Sequence, residues 1–168
     1  MHHLIIDGYN VIRQTAPYFE LSERGDLDQA RDVLIGDVAA LVSASTRVTV
    51  VFDGANNPSS TGEPTTRIGV TVIFSPAGRS ADSVIEKLSH EARDRGDRVE
   101  VITSDATIQW TVMSSTVMRK SSREFGEEMK EDFQTWQSEN RHHGMRSSLD
   151  DRLSPQAREA LDRLSGNR

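Results

Sequence analysis

A chain of 168 residues, 35% hydrophobic and 27% charged, is long enough for one domain with a real core and has an ordinary soluble balance. The absence of cysteine excludes disulfides and thiolate metal sites; with no apolar run near the ~20 residues of a membrane span and no signal-peptide pattern, a soluble cytoplasmic protein is expected. A net charge of −6 argues against a generally basic nucleic-acid coat but leaves room for a local basic rim around an acidic site.

The first element lies in LIIDGYNVI, residues 4 to 12: a strand over His3–Ile6, then a charged Asp7 where the strand ends. Asp26 can cap a helix in which Leu27, Ala30, Leu34, Val38 and Leu41 recur at spacings of three and four. A second strand, Val48–Phe52, ends at Asp53. Residues 54 to 69, GANNPSSTGEPTTRIG, are rich in turn formers and read as a mobile surface loop. Val70–Phe74 is a third strand, and Ser80 can cap a helix carrying Val84, Ile85, Leu88 and Ala92, which Gly96 closes.

A fourth strand, Val99–Ile102, leads through Thr103 and Ser104 to Asp105, followed by a short helix over Ala106–Met113 and a weak fifth strand, Thr116–Met118. Ser121 and Glu124 have capping-box spacing ahead of a stripe of Phe125, Met129, Phe133 and Trp136. The polar stretch from Asn140 to Arg152 reads as a linker, and Ser154-Pro155 opens a terminal helix with Ala157, Leu161 and Leu164. The expected organisation is a domain over 1–139, a linker over 140–153 and a helix or tail over 154–168. Near-continuous apolar strands alternating with helices imply an α/β fold with four or five mainly parallel strands and right-handed crossovers.

In a parallel sheet the carboxyl ends of strands share one edge, where open α/β proteins place their sites. Asp7, Asp53 and Asp105 follow three of the strands, and Asp82 lies in the first turn of a helix leaving that edge. Any one of them has a plainer role as a helix cap or turn former. Four together repel one another and need a cation or protons, and their oxygen ligands suit a hard divalent ion such as Mg²⁺ or Mn²⁺.

Around them, Asn10 is a further polar candidate, and Arg79 sits near the same edge. Arg119, Lys120 and Arg123 form a small basic group that could meet a nucleic-acid backbone, against the ordinary alternative of solvated surface charge. Tyr9 suits either base stacking or a partly buried strand exit. Trp110 and Trp136 read as core, and His142-His143 has no third ligand at metal spacing.

DGYN at 7–10, FDG at 52–54, SADSVIEKL at 80–88 and VITSD at 101–105 resemble, in order, the motifs of the YacP-like NYN family, a branch of the PIN-like nucleases. The resemblance runs from residue 4 to about Met129. It implies a PIN-like three-layer α/β sandwich and divalent-metal-dependent endonucleolytic cleavage of single-stranded RNA, in some members of messenger RNA at the ribosome. It also implies 5′-phosphate and 3′-hydroxyl products. The family's acidic positions fall on Asp7, Asp53, Asp82 and Asp105, and the asparagine of its DGYN motif on Asn10. The metal would be held mainly by Asp7, Asp82 and Asp105, with Asp53 a further ligand or an orienter of one.

Two other readings compete. A noncatalytic RNA-binding or ribosome-associated module could keep the fold without the reaction, although carboxylates repel phosphate unless a metal intervenes. A receiver or phosphotransfer domain also gathers aspartates at strand ends and could use Lys120. Receivers need paired acids at the first strand, and a dehalogenase-type phosphatase needs a second aspartate where Tyr9 stands.

Overall fold

The computed structural model describes residues 1–54, 57–105, 117–131 and 134–135. The chain divides into two compact units, Met1–Met129 and Lys130–Arg168, and the sheet and all four aspartates belong to the first. The elements are β1 (His2–Asp7), α1 (Gly8–Gln14), α2 (Tyr18–Glu23), α3 (Leu27–Ala39), β2 (Thr46–Phe52), β3 (Thr65–Arg67), β4 (Val70–Phe74), α4 (Ala81–Asp94), β5 (Arg98–Ile102) and β6 (Val117–Lys120). A further helix, α5, covers residues 122–131.

The strands form one six-stranded sheet in the order β3-β4-β2-β1-β5-β6. Every neighbouring pair is parallel except β3–β4. The four or five strands expected become six because β3 forms inside the stretch read as a mobile loop. Thr65 and Arg67 pair across a tight turn with Val72 and Val70, and Gly69 at φ +81° makes the reversal. All three β3 residues are exposed, so no burial pattern marked the strand in advance.

Side-chain alternation sends the strands' apolar residues to two faces. Leu4, Ile6, Val48, Val50, Phe52, Val70 and Val72 pack with Val11, Ile12, Leu34, Ile35 and Val38 from α1 and α3. Ile5, Val51, Val99 and Val101 pack with Ala81, Ile85 and Ala92 from α4. Each such Val, Leu, Ile or Phe side chain contributes about 1.5–3 kcal/mol by leaving water, so both helical layers hold firmly to the sheet. This is the α/β sandwich expected, PIN-like in its mostly parallel sheet flanked by helices.

The helix boundaries follow the local chemistry. The Asp26 carboxylate accepts from the Gln29 N–H at 3.1 Å, and Ser80 Oγ from the Ser83 N–H at 3.4 Å. Gly96, at φ +79°, follows the end of α4. At α5 the Glu124 N–H donates to Ser121 Oγ and the Ser121 N–H to Glu124 Oε2, both at 3.1 Å, completing the capping box. Two short helices, α1 and α2, had no counterpart among the expected elements, since seven and six residues are too few to show a period.

The expected helix 106–113, Thr116, Trp110, Phe133, Trp136, the linker 140–153 with His142-His143, and the terminal helix 154–168 lie outside the described residues. Among the described residues no helix is long and apolar enough to cross a membrane.

Candidate active site

The chain runs from β1 outward through β2 to β4, then returns to the other side of β1 for β5 and β6. The order therefore reverses at the β1–β5 boundary, and ligands of open α/β sheets bind beyond the carboxyl ends of the strands at such a boundary. Asp7 stands on one side of it and Thr103-Ser104-Asp105 on the other. Asp53 follows β2 next door, and α4 starts above the same edge with Asp82 in its first turn.

Asp7 is 8% exposed and does two jobs. Its Oδ1 accepts from the Asn10 N–H at 3.1 Å, capping α1, and its Oδ2 accepts from Thr103 Oγ1 at 3.4 Å. Burial pushes its pKa up to about 6, with the charge of Asp82 adding to the effect; the Asn10 and Thr103 hydrogen bonds and the charge of Arg13 pull the other way. Gly8 is required beside it, because a Cβ there would overlap the Phe52 ring.

Asp82 is half-buried, and its carboxyl is likewise raised above the ordinary range, first by burial and then by the charges of Asp105 and Asp53. The four aspartates thus act on one another electrostatically, with Asp82 the member that feels two others and acts on Asp7. Asp53 is exposed and Asp105 half-buried. The Asp105 N–H donates to Thr103 Oγ1 at 3.1 Å, so one threonine hydroxyl holds both Asp105 and Asp7.

Asp53 is set by a second arrangement. The Gly54 N–H donates to the buried Ser75 Oγ at 2.9 Å, and Ser60 Oγ donates to the Ser75 carbonyl at 2.7 Å. Gly54 lies so close that an added Cβ would stand 2.5 Å from that carbonyl. Gly54 and Ser60 are therefore both held to the residue that follows β4.

The expected basic residues are deployed unevenly. Arg79 is exposed in the turn before α4, on the edge that carries the aspartates. Arg119 Nε donates to the Thr103 carbonyl at 3.1 Å. Lys120 instead pairs with Glu100 at 3.3 Å and Glu128 at 2.6 Å; burial opposes its charge, but these carboxylates outweigh that and raise its basicity. Arg123 is exposed and pairs with Glu127 at 3.0 Å. Tyr9 is core-packed, its ring 5.2 Å from Phe52 and its hydroxyl accepting from Arg31 at 2.8 Å. Arg13, whose field reaches Asp7, was not singled out from the sequence; its place in the last turn of a short helix gave no signal.

The donor set suits a hard cation: carboxylate oxygens alone, coupled by repulsion that an ion would relieve. Among the described residues no three acidic or histidine side chains already stand close enough to form a closed cage.

Residues 4–165 match the YacP-like NYN domain. The uncharacterized protein YacP of Bacillus subtilis (strain 168) is 36% identical over 131 residues, 77% of this chain and 76% of that protein. Two crystal structures of Rae1 (YacP) from Bacillus subtilis, one of them a mutant, are similar throughout. The mutant has a TM-score of 0.70 at 30% identity, covering 98% of this chain and 99% of its own. The other has a TM-score of 0.68 at 29% identity, covering 99% and 96%.

Proposed function

The chain belongs to the YacP-like NYN domain family, and from that premise we propose that it is a divalent-metal-dependent endoribonuclease acting on single-stranded RNA. The observation that carries this reading is the placement of Asp7, Asp53, Asp82 and Asp105 at the carboxyl edge of one sheet, where the charge of Asp82 acts on Asp7 and those of Asp105 and Asp53 act on Asp82. Carboxylates so arranged repel phosphate and one another, and a nucleic-acid substrate can approach them only with a cation present.

Asp7, Asp82 and Asp105 would hold the ion, with Asp53 a further ligand or an orienter of one. When bound, Mg²⁺ or Mn²⁺ would supply water activation and stabilise charge on the phosphoryl oxygens. Thr103 keeps Asp7 and Asp105 in place through its hydroxyl. Arg79, exposed in the turn before α4, and Arg119 would contact the RNA backbone, with Asn10 a further candidate. Lys120 and Arg123 are engaged by glutamates, which weakens the case for them as phosphate ligands. The family resemblance extends the reading to messenger RNA at the ribosome, and the cysteine-free composition suits a reducing cytoplasm.

Incubation of labelled single-stranded RNA with the purified protein and Mn²⁺ or Mg²⁺, beside EDTA and Asp7→Asn controls, tests the proposal. Cutting that needs the metal and disappears in Asp7→Asn is expected. RNA bound equally well with and without chelator, and left intact, would replace the nuclease by a noncatalytic binding module.

A further inference from the structure

Asn10 is the centre of a hydrogen-bond network that neither capping nor the aspartates require. Its Oδ1 accepts from the Ser104 N–H at 3.0 Å, from Ser122 Oγ at 2.8 Å and from Gln14 Nε2 at 3.2 Å. A backbone N–H can only donate, so the carboxamide oxygen, and not its nitrogen, must face Ser104.

The network then closes on itself. The Ser122 N–H donates to Ser104 Oγ at 3.1 Å, and Ser104 Oγ donates to Gln14 Oε1 at 3.0 Å. Three separate elements are joined in this way: α1 through Asn10 and Gln14, the exit of β5 through Ser104, and the first turn of α5 through Ser122. Ser122 is fully buried, and Thr15 Oγ1 donates to its carbonyl at 3.4 Å.

Two short links tie this ring to the carboxylates. The same Asn10 that accepts from Ser122 donates its N–H to Asp7. The same segment that carries Ser104 carries Thr103 and Asp105, whose hydrogen bonds lead back to Asp7. Removing the Ser122 hydroxyl would leave the Asn10 oxygen with two donors and loosen α1 against the β5 exit, the two segments that bring Asp7 and Asp105 together.

We propose that Ser122 is a positioning residue for the cation site, acting through Asn10 and Ser104 on Asp7 and Asp105. The inference rests on the metal-dependent reading above. Groups that orient ligands from behind commonly alter metal affinity about 10–100-fold when removed. Ser121, its neighbour, provides the contrast: it caps the same helix through Glu124 and makes no bond to the ring.

The test is Mn²⁺ binding by titration calorimetry, without RNA, on the whole protein and its variants, with thermal stability measured in parallel. Ser122→Ala should weaken Mn²⁺ about 10-fold, whereas Ser121→Ala should lower stability and leave Mn²⁺ affinity unchanged. Asn10→Ala combined with Ser122→Ala should bind no more weakly than Asn10→Ala alone, because both cut one pathway. Ser104→Ala, at a half-buried position, should weaken binding in the same direction and serves if Ser122→Ala does not fold. If Asp7→Asn weakens Mn²⁺ binding while Ser122→Ala and Ser104→Ala leave it unchanged, the positioning role is overturned and the cation site stands. If Asp7→Asn leaves binding unchanged, the cation reading beneath it falls as well.

Discussion

At the amino-terminal end of β1, His3 is 3% exposed; at the carboxyl end of the same strand Asp7 is 8% exposed. Both are ionisable side chains inside the protein, yet their situations are opposite. Burial, reinforced by Arg47 and Arg95, pushes the His3 pKa down to about 4, and its Nε2 is hydrogen-bonded to Thr49 Oγ1 at 2.8 Å. His3 is therefore neutral at pH 7, the form that a low-dielectric interior accepts. Asp7 is pushed up only to about 6, so at pH 7 it is mostly ionised and holds its charge against burial and Asp82. One end of the strand is settled by the fold; the other keeps a charge that the proposed cation would settle.

The sharpest way to break this contrast is Asp7→Asn. If Asp7 holds the ion as proposed, losing its charge should lower RNA cleavage by about 1,000-fold or more, read in a metal-supplemented cleavage assay. The same variant should be more stable without metal. Unfolded Asp7 loses its proton near the ordinary 3.8 and folded Asp7 near 6, so its contribution to stability is lost as pH rises through that window. At pH 7 the substitution removes this penalty but also a carboxylate hydrogen-bond acceptor, for a net gain of about 1–2 kcal/mol in chemical denaturation. A variant that is inactive and also less stable would mean that Asp7 is principally structural.

At the other end, His3 predicts a pH dependence of the opposite kind. Unfolded His3 takes up a proton near 6.5 and folded His3 only near 4, so the unfolded state binds more protons between these values. Stability should fall by about 3 kcal/mol as pH is lowered across that window and change no further on this residue's account below it. Denaturation midpoints of the protein and of His3→Gln, measured from pH 7.5 to 4, should differ in slope. Parallel curves would show that His3 does not govern the amino-terminal end.

Smaller effects sharpen the picture of the site's support. Gly54→Ala places a Cβ 2.5 Å from the Ser75 carbonyl and should cost about 2 kcal/mol. The exposed turn at Gly25, with open space around it but φ +84°, should lose only about 1 kcal/mol on the same change. Equal losses at both positions in urea titration would remove the claim that the β2 exit is the tighter of the two. Smallest of all, Lys120→Met should alter stability by under about 1 kcal/mol and leave the KM for RNA unchanged, since Glu100 and Glu128 already hold the ammonium.

Some of the fold could be read directly because its causes are local. The apolar runs of β1, β2, β4 and β5 are buried on both faces, and the caps at Asp26, Ser80 and Ser121 act within three residues. β3 escaped notice because an exposed three-residue strand carries no hydrophobic signature, and α1 and α2 because each spans two turns or fewer. The 54–69 stretch reads as a mobile loop because Gly, Asn, Pro and Ser suit any turn; what holds Gly54 and Ser60 is Ser75, twenty-one and fifteen residues away.

The sequence by itself determined that four aspartates would stand at the exits of strands and at the start of one helix, because strand ends and helix starts are written in nearest-neighbour chemistry. It could not determine how those exits are held. Asn10 meets Ser104 across 94 residues and Ser122 across 112, and serine and asparagine at such positions look the same in sequence whether they face solvent or one another. Only the order of strands in the sheet brings β1, β5 and the start of α5 side by side. Burial there turns ordinary polar residues into a network and an ordinary aspartate into one raised to about 6.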